Sequence, residues 1–236
     1  MVLHKPYGGS ELELFAKATN WKRYVSKILQ PYIAEIVIEV GAGLGSTTKY
    51  LCDRMDVRWL CLDPDPRHVA HVADRIATGD LPPCCEAKCG ALADVPPDER
   101  ADTIVYIDVL EHIENDEEEM RVAVSRLSIG GHIVVLSPAF NLLYSPFDEA
   151  IGHFRRYALK DARRLTVHPL SLERVFFLDS LGFFASAVNR FITRRSEPSI
   201  HQIQIWDKAI VPLSTVTDQV FSHLFGRSIV MIWRKM

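Results

Sequence analysis

A β-branched run, Ile36 to Val40, ends in Gly41-Ala42-Gly43-Leu44-Gly45 and passes directly into Ser46 to Met55, whose composition suits a helix. Nothing else in the chain restricts the fold so tightly. In a strand, glycine turn and helix taken in that order, the glycines let the backbone bend sharply and come close to a ligand. The free N–H groups that open the helix suit an anion. Dinucleotide sites use a similar device, and the same residues can make nothing more than a tight strand-to-helix turn. Two details narrow the choice. The dinucleotide fingerprint calls for a third small residue at position 46, where this chain has Ser46. Glu39 puts a carboxylate near the end of an otherwise buried strand, which is unfavourable unless it meets a donor.

The rhythm continues downstream. Arg58 to Leu62 reads as a second strand, Pro66 to Thr78 as a helix, Cys84 to Cys89 as a third strand and Thr103 to Ile107 as a fourth. Glu114 to Leu127 reads as a helix ended by Gly130-Gly131, and His132 to Leu136 as a fifth strand, apolar throughout as in a sheet covered on both faces. Such alternation implies parallel strands with crossover helices, an α/β doubly wound sheet. Residues 137–161 break the pattern with Pro138, Pro146, Gly152 and many polar side chains, the composition of a functional loop. Leu172 to Leu178 and Ile229 to Trp233 read as two more strands, with a helical insertion between Phe183 and Gly226. Before the first strand, Glu11 to Tyr32 has helical periodicity. The expected organisation is one domain over 1–236, with cap helices at 1–34, a cofactor-binding core at 35–140, and an acceptor loop, insertion and final strands at 141–236.

Asp63 follows the second strand about 20 residues after the loop, where a carboxylate can accept from ribose hydroxyls. The fourth strand ends in Asp108-Val109-Leu110-Glu111-His112-Ile113, at the sheet edge where open α/β folds bind ligands. Together, Val37 to Ser46, Asp63 and Asp108 to Ile113 resemble the class I S-adenosylmethionine-dependent methyltransferases. Softer similarity, in Ala18-Thr19-Asn20-Trp21, Asp148 to Tyr157 and Phe225 to Ile229, is to a bacterial subgroup of free-standing methyltransferases. The resemblance implies a Rossmann-like seven-stranded sheet with an antiparallel last strand and S-adenosylmethionine as cofactor. It places Glu39, Gly41, Gly43 and Gly45 near the methionyl part, Asp63 and Pro64 by the ribose, Ala91 and Leu92 beside adenine, and Asp108, Val109 and His112 along the donor pocket. Asp94 or backbone groups would recognise the adenine amine.

A sulfonium already makes its methyl group electrophilic, so the protein mainly aligns donor and acceptor and excludes water. Where the acceptor must lose a proton, His153 oriented by Asp148 is the candidate base. The alternative for Asp148, His153, Arg155, Arg156 and Tyr157 is an ion-paired network that folds the loop over the site. Arg155 and Arg156 could instead hold an anionic acceptor, with Tyr7, Tyr144 and Tyr157 as further pocket residues. The favoured acceptor is a small molecule: a natural product, a saccharide or a lipid intermediate. Methylation of a macromolecule, a non-catalytic cofactor-binding partner and a nicotinamide oxidoreductase are the alternatives. A net charge of -3 argues against a nucleic-acid partner. The absence of a long apolar run argues against membrane insertion, and the lack of a signal-like N-terminus for a cytoplasmic protein with reduced cysteines. No metal is expected: Cys84, Cys85 and Cys89 have poor zinc spacing and read as a half-buried strand. Asn189 to Arg195 reads as a solvated helix face. The apolar residues between Ile203 and Phe225 read as core or as the contact surface of a homodimer.

Overall fold

The computed structural model describes residues 10–193 and 199–236. Tyr7, Arg194 and Arg195 lie outside them. Seven strands form one sheet: β1 (Ile36–Val40), β2 (Arg58–Asp63), β3 (Cys85–Cys89), β4 (Ala101–Ile107), β5 (Leu127–Pro138), β6 (Leu170–Leu178) and β7 (Ser228–Lys235). Their spatial order is β3-β2-β1-β4-β5-β7-β6. β1 to β5 are parallel, and β7 runs antiparallel between β5 and β6. This is the doubly wound architecture expected from the sequence.

Alternate residues on each strand face opposite layers, so the apolar runs feed two cores. Ile38, Val40, Leu60, Leu62, Ile104 and Tyr106 pack on one face. Val37, Trp59, Cys61, Val105 and Val134 pack on the other. α1 (Ser10–Ala16) and α2 (Thr19–Leu29) precede β1, and the crossover from β1 to β2 holds a single turn, α3 (Thr48–Leu51). The flanking helices α4 (Pro66–Ala77) and α5 (Asp116–Arg126) begin where the sequence provides caps. Asp65 accepts from the Arg67 N–H at 2.8 Å and Asn115 from that of Glu118 at 3.2 Å.

One boundary departs from expectation. Gly130-Gly131 does not end a helix; both residues lie inside β5, which starts at Leu127 and reaches the regular ladder after a register shift opposite Ala101 to Thr103. A Cβ on Gly131 would lie 2.7 Å from the Asp102 carbonyl oxygen, so glycine is there to let the two strands approach. The irregular stretch after β5 holds α6 (Pro146–Ala150) and runs into α7 (Leu159–Arg164). The late insertion is helical, with α8 (Ser180–Val188), α9 (Ile200–Ile205) and α10 (Val211–Val220).

Three buried aspartates tie the cap and the insertion to the sheet. Asp207 accepts from the Trp21 N–H at 2.9 Å. Asp218 accepts from the Tyr24 hydroxyl at 2.8 Å and from the backbone of Asp179 and Ser180 at 2.7 and 2.8 Å. Asp179 accepts from Gly182 N–H, Trp206 Nε1 and Ser214 Oγ at 2.9, 2.7 and 2.7 Å. Among the described residues no helix is long and apolar enough to cross a membrane. The five cysteines are free; Cys85 and Cys89 lie on β3, and Cys52 joins the Cys84–Cys85 pair with Sγ atoms 3.5 and 3.7 Å away.

Candidate active site

β1 and β2 end side by side, and the turn after β1 closes over the end of β2. The Gly43 N–H donates to Asp63 Oδ2 at 2.8 Å and the Ala42 N–H to the Leu62 carbonyl at 2.9 Å. Gly41 and Gly43 have φ of 69° and 53°, a region that disfavours side chains, and a Cβ on Gly41 would lie 2.6 Å from Val109. The glycines therefore bend the turn across the sheet edge between Asp63 and Val109. Pro64 follows at the surface, and Asp63 Oδ1 accepts from the Asp65 N–H at 2.9 Å and lies 3.1 Å from His68 Nδ1. The loop, Asp63 and the Asp108–Val109 turn share one edge, as an adenosyl group requires. The carboxylate arrives already oriented by backbone donors.

Glu39 is buried, and its Oε2 accepts from Thr48 Oγ1 at 2.7 Å and Trp59 Nε1 at 2.8 Å. The donors that the sequence demanded for it are thus the chain's own. Loss of solvent still raises its pKa to about 7. Ala91 is exposed beyond β3. Leu92 is 0% exposed in the core and offers a ligand no surface of its own, and Asp94 is engaged by the Ala91 N–H at 2.8 Å. Of the proposed adenine wall, Ala91 is the accessible part.

Asp108, at φ 54°, turns the chain out of β4 and stands exposed in the cleft, yet surrounding protein raises its pKa against the lowering influence of Arg227, His153 and Lys22. Beyond it, at the carboxyl ends of β5 and β6 and the start of β7, lies a cavity of about 240 Å³. Phe15, Leu143, Arg156, Gln202, Trp206 and Arg227 line it. The Arg227 guanidinium lies over the Trp206 ring, 4.6 Å from its centroid.

The acceptor-loop residues separate into two groups. His153 Nδ1 lies 2.9 Å from Asp148 Oδ1, so Asp148 does orient it. Asp148 also accepts from Arg156 Nε and Nη2 at 2.7 and 2.9 Å and from Ser145 N and Oγ at 2.8 and 2.9 Å, and these partners hold its pKa far below the usual range. The Tyr144 hydroxyl donates to the His153 carbonyl at 2.6 Å. Arg156 lines the cavity, and its Nη1 is buried without a hydrogen-bond partner. Arg155 and Tyr157 belong elsewhere: Arg155 pairs with Asp116 at 2.7 Å, and Tyr157, 0% exposed, donates to the Leu110 carbonyl and Asp116 at 3.0 Å each. Neither reaches the cavity. They brace the turn after β4 from behind.

His112 is half-buried with its ring centroid 4.5 Å from that of His153. Sequence reasoning passed over three residues of this region. Lys22 donates to the Phe15 carbonyl, and burial lowers its pKa to about 8. Arg227 had only its place in the Phe225–Ile229 run to mark it. Glu111, inside the motif after β4, proves wholly buried.

Residues 38–133 match a family described as the methyltransferase domain. The fold is that of geranyl diphosphate C-methyltransferase from Streptomyces coelicolor A3(2) (TM-score 0.67, 11% identity, 99% of this chain and 86% of that one). It is likewise similar to coclaurine N-methyltransferase (TM-score 0.62, 14% identity, 90% and 72%). A (4+2)-cyclase shares it as well (TM-score 0.59, 13% identity, 96% and 94%).

Proposed function

We propose that this chain, a class I S-adenosylmethionine-dependent methyltransferase whose residues 38–133 match the methyltransferase-domain family, passes its methyl group to a small-molecule acceptor held in the cavity lined by Arg156, Trp206 and Arg227. The observation that carries the reading is that cavity. It is built from α1, the segment after β5, α8, α9 and the start of β7, a half-open recess between elements packed onto the carboxyl edge of the sheet. Its 240 Å³ suits a compact molecule and leaves little room for a macromolecular strand.

In this reading the cofactor supplies an electrophilic methyl on sulfur. The Gly41 to Gly45 turn and Asp63 grip the adenosyl part, and Ala91 borders adenine. Arg156, which lines the cavity and has an unpartnered Nη1 donor, takes an oxygen of the acceptor, while Trp206 and Phe15 exclude water. His153, oriented by Asp148, is the residue we assign to activating the acceptor. The chain's task is alignment, since an in-line attack needs the two reacting atoms about 3 Å apart.

A trapped-product screen tests this: purified enzyme, labelled cofactor and a panel of small polar acceptors. His153→Ala should lower kcat by about 10²-fold or more while the affinity for S-adenosylhomocysteine stays within about twofold. Joint loss of both would reduce His153 to a loop-ordering residue. Labelling only of protein or RNA, with no small acceptor accepted, would overturn the assignment of substrate size.

A further inference from the structure

Glu111 raises a question that methyl transfer alone does not answer. It is 0% exposed, and only one of its carboxylate oxygens is used: Oε2 accepts from Ser137 Oγ at 2.9 Å. Oε1 is buried with no hydrogen-bond partner. It faces His153 Nε2 across 3.8 Å, too far for a hydrogen bond. A bare carboxylate oxygen in a protein interior is strongly unfavourable unless a proton or a cation completes it.

The surroundings show what that is. Glu111, His112 and His153 each bring one ligand atom, and the three atoms all lie within 4.8 Å of one another. Two donors bound to one ion at about 2.0–2.2 Å each stand about 3–4 Å apart, so an ion between Glu111 and His153 needs only a small closing movement. His153 is oriented as a metal ligand would be. Its Nδ1 faces Asp148 at 2.9 Å and its Nε2 is directed at Glu111, the geometry of a carboxylate–histidine–metal arrangement. Asp148 is itself fastened by Arg156 and Ser145. Asp108, three residues before Glu111 and exposed to the cleft, adds a second negative charge close by. His112 is half-buried, so the cluster is not wholly sealed from solvent.

We propose that Glu111, His112 and His153 hold a divalent first-row transition cation, with its open coordination positions toward Asp108 and the cleft. Two imidazoles and one carboxylate favour zinc, manganese, iron or cobalt over magnesium or calcium, which seek all-oxygen cages. The site stands on this cluster alone; its chemical use rests on the methyl-transfer reading above. There an acceptor hydroxyl binds the cation and releases its proton to water. The resulting oxyanion forms the O–CH3 bond as the CH3–S bond breaks, and the sulfur keeps that electron pair as a neutral thioether. His153 then activates the acceptor through the metal and is not its base.

The test is cation binding by the full chain after chelation and dialysis, which needs no acceptor. Cobalt(II), followed by its visible d–d bands, should bind at one equivalent without the intense near-ultraviolet thiolate band. Glu111→Gln and His153→Gln should each weaken it by about 100-fold or more, since losing a residue behind a ligand already costs about 10–100-fold, the loss expected for Asp148→Asn. S-adenosylhomocysteine affinity reports folding in each variant. Should Glu111→Gln not fold, His112→Asn at its half-buried position takes its place. No saturable binding, or binding unchanged by these substitutions, overturns the proposal. So does a thiolate band abolished by Cys84→Ser, which would place the ion at Cys52, Cys84 and Cys85. Cation binding with every tested small hydroxyl compound left unmethylated would keep the site and refute the acceptor reading.

Discussion

Replacing Glu39 by glutamine should flatten the dependence of stability on pH. The carboxyl is fully enclosed, and its pKa is raised from 4.5 to about 7 by the loss of water, against the lowering influence of Thr48 and Trp59. A group whose folded pKa lies above its unfolded value holds its proton more tightly in the fold. Its contribution is complete below pH 4.5 and is lost as pH climbs through about 7. The gap amounts to about 3 kcal/mol at about 1.4 kcal/mol per pH unit, of which about 2.5 kcal/mol falls between pH 5 and pH 8. Other groups titrate over that range too, so the quantity to measure is the difference between wild type and Glu39→Gln. Urea unfolding at pH 5 and pH 8, without cofactor, provides it: wild type should lose about 2.5 kcal/mol more than the variant on going to pH 8. The indole of Trp59, 2.8 Å from the carboxylate, gives an independent optical titration. Equal pH dependence in the two proteins would refute the claim that this carboxyl is desolvated without a matching cation.

Calorimetry with S-adenosylhomocysteine should show Asp63→Ala weakening binding by about 10-fold or more, as expected for a lost hydrogen bond to a charged group. Gly43→Val should weaken it further, because a β-branched residue at φ 53° distorts the turn; unchanged affinity in both would move the cofactor elsewhere. Asp179→Ala strips the partners from Trp206 Nε1, Ser214 Oγ and Gly182 N–H and should destabilise the chain by about 3 kcal/mol or more. A midpoint in urea within error of wild type would show that the insertion is not anchored there.

What was legible in the sequence was local. Strand, glycine turn and carboxylate-ended strand follow one another within 30 residues, and the physics of a tight turn at a sheet edge is written in the residues that make it. Gly130-Gly131 was misread because the same pair serves a helix stop and a close strand approach; only the Asp102 carbonyl across the ladder decides. Tyr157 and Leu92 look like pocket residues by neighbourhood, but burial depends on which side of the strand end a side chain turns. Asp207 with Trp21 and Asp218 with Tyr24 join positions more than 180 residues apart, and no periodicity signals such a pair. Glu111 could be seen as part of a motif, whereas its empty oxygen belongs to the packing. The shared fold leaves the reaction open in the same way, since C- and N-methyltransferases and a cyclase all adopt it.

The reversed direction of β7 has a consequence for how such a protein changes over time. Because β7 enters the sheet from the edge where the parallel strands leave it, Arg227 arrives beside Asp108 although 119 positions separate their numbers. In the proposed reading the donor-gripping turns occupy one early stretch of chain, while the acceptor's cavity wall is assembled from remote, mostly helical pieces. On that reading, drift in those pieces would retune what is methylated while the machinery that presents the methyl group stayed as it was.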